Sequence, residues 1–356
     1  MDKKEIESNI QKTVLKMAVE PTNTALYHDL AKYYALDNQY EKVISVYESL
    51  LDIDPKDLQA LLNLGSIWFY AKEYRKALKC FNEAMLVNPS DYMVYFNLGN
   101  TYAEMKNFPK ALHYYMRTLD FKANEPEIYN AIALLYHDFE DYVESRAYYE
   151  RALAIDPNNL TALIDLGNVS YKLYDYNSAL EYYKKVFELA PDNKTVALCI
   201  ANTFAVNKDS KQCYEYFDKA LKLDGDNYKT YICYAIAKSD FREYDEAIKL
   251  YKKAIDISPN EINARILLGN LYSNLKMFNE AIEQYKEAQK ISKLDPNLYI
   301  LLANVLFMNK EVERSLYSYR AAVSLRPEND EYKLVFIQVL EDYIEDSRKG
   351  DLIATA

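Results

Sequence analysis

The side chains best suited to chemistry in this chain are three histidines, His28, His113 and His137, and four cysteines, Cys80, Cys199, Cys213 and Cys233. Imidazole and thiolate bind zinc when they recur at short fixed spacing, but no Cys-x-x-Cys or His-Glu-x-x-His occurs. A nucleophile needs a base and an oxyanion site around it. No Gly-x-Ser-x-Gly, phosphate-loop or dinucleotide glycine pattern is present. Cys199 and Cys233 stand 34 residues apart, at equivalent places of a repeat described below. Equivalent places on packed helices lie roughly 8–10 Å apart, too far for an unstrained disulfide. The acidic residues alternate with lysines, as on solvated helix faces. The sequence therefore reads as no enzyme, with no metal and no cofactor. The chemistry left is recognition by amides, carboxylates and apolar side chains.

Composition narrows the partner. Half of the 356 residues are hydrophobic and 27% are charged, as in a folded protein. Six glycines and ten prolines are too few for the turns of an all-β fold. A net charge of −11 argues against nucleic acid and against an anionic membrane surface. No stretch reaches the roughly 18 apolar residues of a membrane span. Lys3 and Lys4 are not followed by the apolar run of a signal peptide. With its unpaired cysteines the chain is expected to be cytoplasmic and not inserted in a membrane.

Prolines reveal what positions the recognition residues. Pro21, Pro55, Pro89, Pro157, Pro191, Pro259 and Pro327 differ by multiples of 34. Ala123, Gly225 and Lys293 fill the missing places. This sets nine repeats at 24–57, 58–91, 92–125, 126–159, 160–193, 194–227, 228–261, 262–295 and 296–329, with proline at slot 32. Slots that did not define the frame agree with it. Slot 8 is Gly or Ala in all nine: Ala31, Gly65, Gly99, Ala133, Gly167, Ala201, Ala235, Gly269, Ala303. The chance of that is on the order of 10⁻⁷ at ordinary composition. Slot 24 is aromatic in all nine, from Tyr47 and Phe81 to Tyr285 and Tyr319. Apolar slots 4, 7, 8 and 11 share one face of a first helix, and 20, 24 and 27 one face of a second. A small slot 8 admits close backbones, and the ring at slot 24 fills the space beside it. Proline at 32 follows the end of the second helix. Asp57, Asp91, Asn159, Asn193 and Asn227 at slot 34 are N-caps for the next.

The pattern resembles the tetratricopeptide repeat, a 34-residue helix–turn–helix unit with this signature. The resemblance covers residues 24–329 and implies an all-α, right-handed superhelical solenoid of nine tandem repeats with capping helices. Residues 1–23 hold the N-terminal cap and 330–356 the C-terminal cap and tail. Helices are expected over 5–18 and 330–346, with Phe336 and Leu340 facing inward on the latter. Lys238 at slot 11 and Arg265 at slot 4 depart from the pattern; their stems are expected to pack while the charges reach water.

The resemblance also implies function: a non-catalytic scaffold or adaptor that binds an extended peptide or helix of a partner protein. The alternative is a substrate-recruiting or targeting subunit for a separate enzyme such as a glycosyltransferase. In this family the first helices line a concave groove through slots 2, 5, 6, 9, 12 and 13. Here slot 9 supplies Asn100, Asn168, Asn202, Asn270 and Asn304, and slot 6 Asn63 and Asn97. An amide both donates and accepts, so such a row can bond a peptide backbone whatever its sequence. The row is similar to the asparagine-lined repeats of O-linked N-acetylglucosamine transferases, displaced from slot 6 to slot 9. Beside it, the last four repeats place Ile232, Ile236, Ile266, Ile300 and Phe307, a candidate apolar binding surface. The first five place Asp29, Glu104, Glu127, Asp138 and Asp165. The Lys/Asn/Arg spacing with which some family members grip a chaperone's C-terminal carboxylate is absent, so that partner is not expected.

Overall fold

The computed structural model describes residues 2–225 and 227–354. The chain divides into two compact units, one up to Tyr182 and one from Tyr183. All regular structure described is α-helix. The first unit holds α1 (Lys3–Val19), α2 (Thr24–Leu36), α3 (Tyr40–Ile53), α4 (Leu58–Tyr70), α5 (Tyr74–Val87), α6 (Tyr92–Glu104), α7 (Phe108–Phe121), α8 (Pro126–Asp138), α9 (Tyr142–Ile155) and α10 (Leu160–Lys172). Helix α11 is Tyr176–Leu189. The second unit continues with α12 (Lys194–Val206), α13 (Ser210–Asp224), α14 (Tyr228–Asp240), α15 (Tyr244–Ile257), α16 (Ile262–Asn274), α17 (Phe278–Ile291), α18 (Pro296–Met308), α19 (Val312–Leu325) and α20 (Asp330–Ala354).

Each first helix is 13 residues long and starts at slot 1. In seven of the nine a slot-34 side chain caps that start, the exceptions being Asn23 before α2 and Glu125 before α8. Asp57 accepts from the Ala60 N–H at 2.8 Å, Asp91 from Met93 at 2.9 Å and Asn159 from Ala162 at 3.0 Å. Asn193 caps Val196 and Asn227 caps Lys229 in the same way. Pro126 and Pro296 occupy the first helical position, where no N–H is needed. Gly225, in proline's place, ends α13 at φ +61°.

The end of each first helix carries a feature with no glycine to announce it. Slot 15 has a left-handed backbone every time, at Asn38, Lys72, Lys106, Glu140, Tyr174, Lys208, Arg242, Lys276 and Lys310, with φ between 56° and 66°. The N–H one residue on returns to the carbonyl of slot 11, as Met277 does to Tyr272 at 2.8 Å. This is a Schellman closure made without glycine.

Within each unit the small slot 8 does what the sequence suggests. A Cβ on Gly65 would lie 2.5 Å from the Phe81 ring, one on Gly99 2.5 Å from Tyr115, and one on Gly269 2.6 Å from Tyr285. A core cluster of the second unit gathers Ala235, Tyr251, Leu268, Tyr285 and Leu306. In the first unit Ile128, Ile132, Ala133, Tyr149 and Leu166 form one such cluster.

Three expectations need correction. Lys238 does not lift its charge into water. Its side chain is only 13% exposed, and Nζ lies 2.6 Å from Glu243 and 3.3 Å from the centre of the Tyr214 ring. A neighbouring acid and a π-face replace solvent there. Arg265 reaches back to the Pro259 carbonyl at 3.4 Å, while its Nε is buried with no hydrogen-bond partner among the described residues. The last helix runs past 346 to Ala354, and Val339 is buried on it, beside half-buried Phe336 and against Ala303 and Tyr319. At the other end α1 buries Ile6 and Thr13, the latter at slot 24.

Candidate binding surface

In the first unit the amides of the row are tied to the rings behind them. Tyr115 donates its hydroxyl to Asn100 Oδ1 at 2.7 Å. Asn63 donates to the Tyr47 hydroxyl at 2.8 Å and accepts from Gln59 at 3.0 Å, so both ends of its amide are engaged. Asn97 is half-buried and makes no side-chain hydrogen bond among the described residues. Asn168 is bonded to Asp165, which also lies 3.4 Å from the Tyr149 hydroxyl. Burial raises the Asp165 carboxyl above the usual carboxylate range, against the opposing pull of Tyr149, His137 and Asn168. The other acids of this row are engaged or exposed. Asp138 pairs with Lys106 at 2.9 Å, and Glu104 lies 3.5 Å from the Tyr74 hydroxyl.

The second unit repeats the device. Tyr285 donates to Asn270 Oδ1 at 2.7 Å, and Tyr319 to Asn304 Oδ1 at 2.5 Å. Burial pushes the Tyr285 phenol up to about 12, so it stays a donor at neutral pH. With the amide oxygen taken, the N–H bonds of Asn270 and Asn304 are unused by the described residues. Asn202 stands before Phe217, which has no hydroxyl, and its side chain makes no hydrogen bond among the described residues. Ile236 and Phe307 are each 40% exposed, and Met308, next to Phe307 in the chain, is exposed too. Ile266 and Ile300 are half-buried, Ile300 packing towards Tyr319. Ile232 differs from the expectation. It is 6% exposed and belongs to the core with Ala235 and Tyr251, because neighbouring helices cover it.

The link between slots 9 and 24 is the feature that reading the row alone misses. Its trace in the sequence is a pairing: Asn100 with Tyr115, Asn270 with Tyr285, Asn304 with Tyr319, each fifteen residues apart.

Other chemistry is muted. His28 Nε2 lies 2.9 Å from Asp57. All four cysteines are free, and burial holds the thiols up, Cys80 to about 11 and Cys213 to about 12, so neither is a ready thiolate. Among the described residues no three His, Cys, Asp or Glu side chains gather as a metal site, and no helix is long and apolar enough to cross a membrane.

Comparison with known proteins gives one consistent result. Tetratricopeptide-repeat family profiles match residues 58–91, 94–125, 124–192 and 240–305. No curated protein matches the chain in sequence. Among solved structures, a tetratricopeptide repeat protein from Parabacteroides merdae is 16% identical with a TM-score of 0.55, over 71% of this chain and 100% of that one. Yeast Tom70 is 16% identical with a TM-score of 0.50, over 97% of this chain and 93% of its own. At such identity the likeness concerns the fold.

Proposed function

Because the chain belongs to the tetratricopeptide-repeat family, whose repeats generally mediate protein–protein interactions, we propose that it is a non-catalytic scaffold or adaptor. Its first helices hold an extended peptide or helix of a partner protein. The observation that carries this reading is the state of the amides in the second unit. Tyr285 and Tyr319 occupy the oxygens of Asn270 and Asn304, leaving N–H donors on a set of first helices that also exposes Ile236, Phe307 and Met308. Donors in a row suit backbone carbonyls, and the exposed apolar side chains suit alternate side chains of a partner.

The test begins with pull-down and mass spectrometry to find the partner, followed by titration calorimetry. Replacing Asn202, Asn270 and Asn304 together by alanine is expected to weaken binding by roughly 0.5–1.5 kcal/mol per amide. Ile266→Asp costs more, since it sets a charge against apolar groups. Binding at this row changes little with salt, whereas binding at the acidic row of the first unit would fall steeply. A folded triple variant with unaltered affinity would refute the assignment.

A further inference from the structure

The last repeat departs from several others in how the space between its two helices is filled. In three of them an aromatic pair closes the space between the first helix at slot 11 and the second at slot 23. Tyr102 stacks on Tyr114 at 5.5 Å and 1°, Tyr136 on Tyr148 at 5.5 Å and 16°, and Phe204 on Tyr216 at 5.9 Å and 29°. In the last repeat these slots are Leu306 and Ser318, and the rings are missing. A cavity of about 330 Å³ stands there, between α17, α18 and α19, with Leu302, Leu306, Tyr317 and Ser318 in its wall. That is the small end of ligand-pocket volumes, suited to one large side chain.

Two polar features on the wall lack what their surroundings supply elsewhere. Slot 19 carries a cation in the first three repeats, and each lies over the slot-11 ring: Lys42 over Tyr34 at 5.1 Å, Lys76 over Trp68 at 4.1 Å and Lys110 over Tyr102 at 4.9 Å. Arg314 holds the same slot in the last repeat, paired with Glu311, but slot 11 offers it only Leu306. Gln289 Nε2 is buried with no hydrogen-bond partner among the described residues, and Gln289 lines the cavity. A buried donor left unbonded is costly. The cleft between the first two repeats, about 380 Å³, differs in this respect, since it retains Trp68 with Lys76 already over it.

We propose that the cavity between α17, α18 and α19 is a binding site for an aromatic side chain of a partner polypeptide. The ring takes the place that Tyr114, Tyr148 and Tyr216 fill in their own repeats. Arg314 lies over its face, and Gln289 donates to a carbonyl or carboxylate oxygen beside it. Lys286 and Glu313 line the cavity as well and Glu311 is paired with Arg314, so the charges offset one another and the unbonded Gln289 donor is what selects an acceptor oxygen beside the ring. None of these residues belongs to the asparagine row, so this site stands or falls separately from it.

The probe is N-acetyl-tyrosinamide, titrated against the full chain by ligand-observed NMR, with N-acetyl-leucinamide as control. Saturable binding of the aromatic probe is expected with a Kd of about a millimolar, as befits so small a ligand, and the aliphatic probe is expected to bind at least about threefold more weakly. Ser318→Tyr supplies the missing ring from within and is expected to abolish binding while the protein stays folded by circular dichroism. Should that variant not fold, Arg314→Ala and Gln289→Leu give the answer, each with an expected loss of about threefold or more. The proposal is overturned if the aromatic probe shows no saturable binding, if the two probes bind equally, or if folded variants of these residues bind as the parent does.

Discussion

Asn270 serves the fold and the candidate surface at once. Its oxygen accepts from Tyr285, whose ring is buried, and its nitrogen is left for a partner. Asn270→Ala is therefore expected to destabilise the protein by about 0.5–1.5 kcal/mol, because the phenol loses its acceptor. In a Tyr285→Phe background the same change costs less, and urea denaturation of the four proteins of this cycle measures the difference. Equal costs in both backgrounds would show that the bond contributes nothing. Asn202, standing before Phe217, carries no such obligation and separates binding from folding more cleanly. Lys238 and Glu243 supply a pH test. The hydrogen bond from Lys238, then that from Tyr214, holds the Glu243 carboxyl below its ordinary value of 4.5. A carboxylate depressed in the folded state adds stability above its unfolded pKa, and this is lost as pH falls through the folded value. The parent protein is thus expected to lose more stability than Lys238→Met on acidification below about pH 4.5. Glu243 is largely open to solvent, so the difference is small. Urea midpoints from pH 7 to 3 reveal it, and parallel curves would contradict it.

At the scale of the helix, the backbone strain repeated at slot 15 is the most testable feature. A residue with a Cβ in the left-handed region costs roughly 1–2 kcal/mol, partly balanced by the freedom that glycine gains on unfolding. Lys276, at φ 61°, is the example in the second unit. Lys276→Gly is expected to be neutral or to stabilise by up to about 1 kcal/mol, and Lys276→Val to destabilise by more than that. Thermal melts decide it, and a glycine variant that melts well below the parent would show that the Lys276 side chain matters more than its backbone. The same slot shows why some of the fold was legible in sequence and some was not. Pro at 32, Gly or Ala at 8 and a ring at 24 are constraints that few residue types satisfy, so they recur visibly and fix where every first helix starts. Only Asn38 among the residues that close the helix ends at slot 15 is a type that favours a left-handed turn; Lys, Glu, Tyr and Arg, which fill the other eight, carry no mark of one. The candidate surface was legible as a row, but not in its bonding. Whether Asn100 is free depends on Tyr115 reaching it from another helix, and Ile232 is buried by neighbours that periodicity along one helix does not register.

Taken as a whole, the molecule is held together by contacts close in sequence. Within each unit, every substantial helix–helix contact joins neighbours in the chain or next-but-one neighbours, as α4 with α6 and α12 with α14. Stability in such an array is close to a sum of repeat and nearest-neighbour terms, so damage stays local in a way that a single globular core does not permit. Leu268 tests this. It is fully buried in the cluster formed by Ala235, Tyr251, Tyr285 and Leu306. Leu268→Asp sets an unpaired charge there, which costs several kcal/mol and opens the surrounding helices. Hydrogen exchange followed by mass spectrometry is expected to show protection collapsing in α14 to α17, while α4 to α9 of the first unit exchange within about twofold of the parent rate. A uniform loss of protection along the whole chain would mean that it unfolds as one cooperative body. In that case a binding-defective variant in one unit could not be assumed to leave the other intact. If the loss is local, the asparagine row, the acidic row and the cavity beside Ser318 can each be disabled by substitution and measured against an otherwise native background.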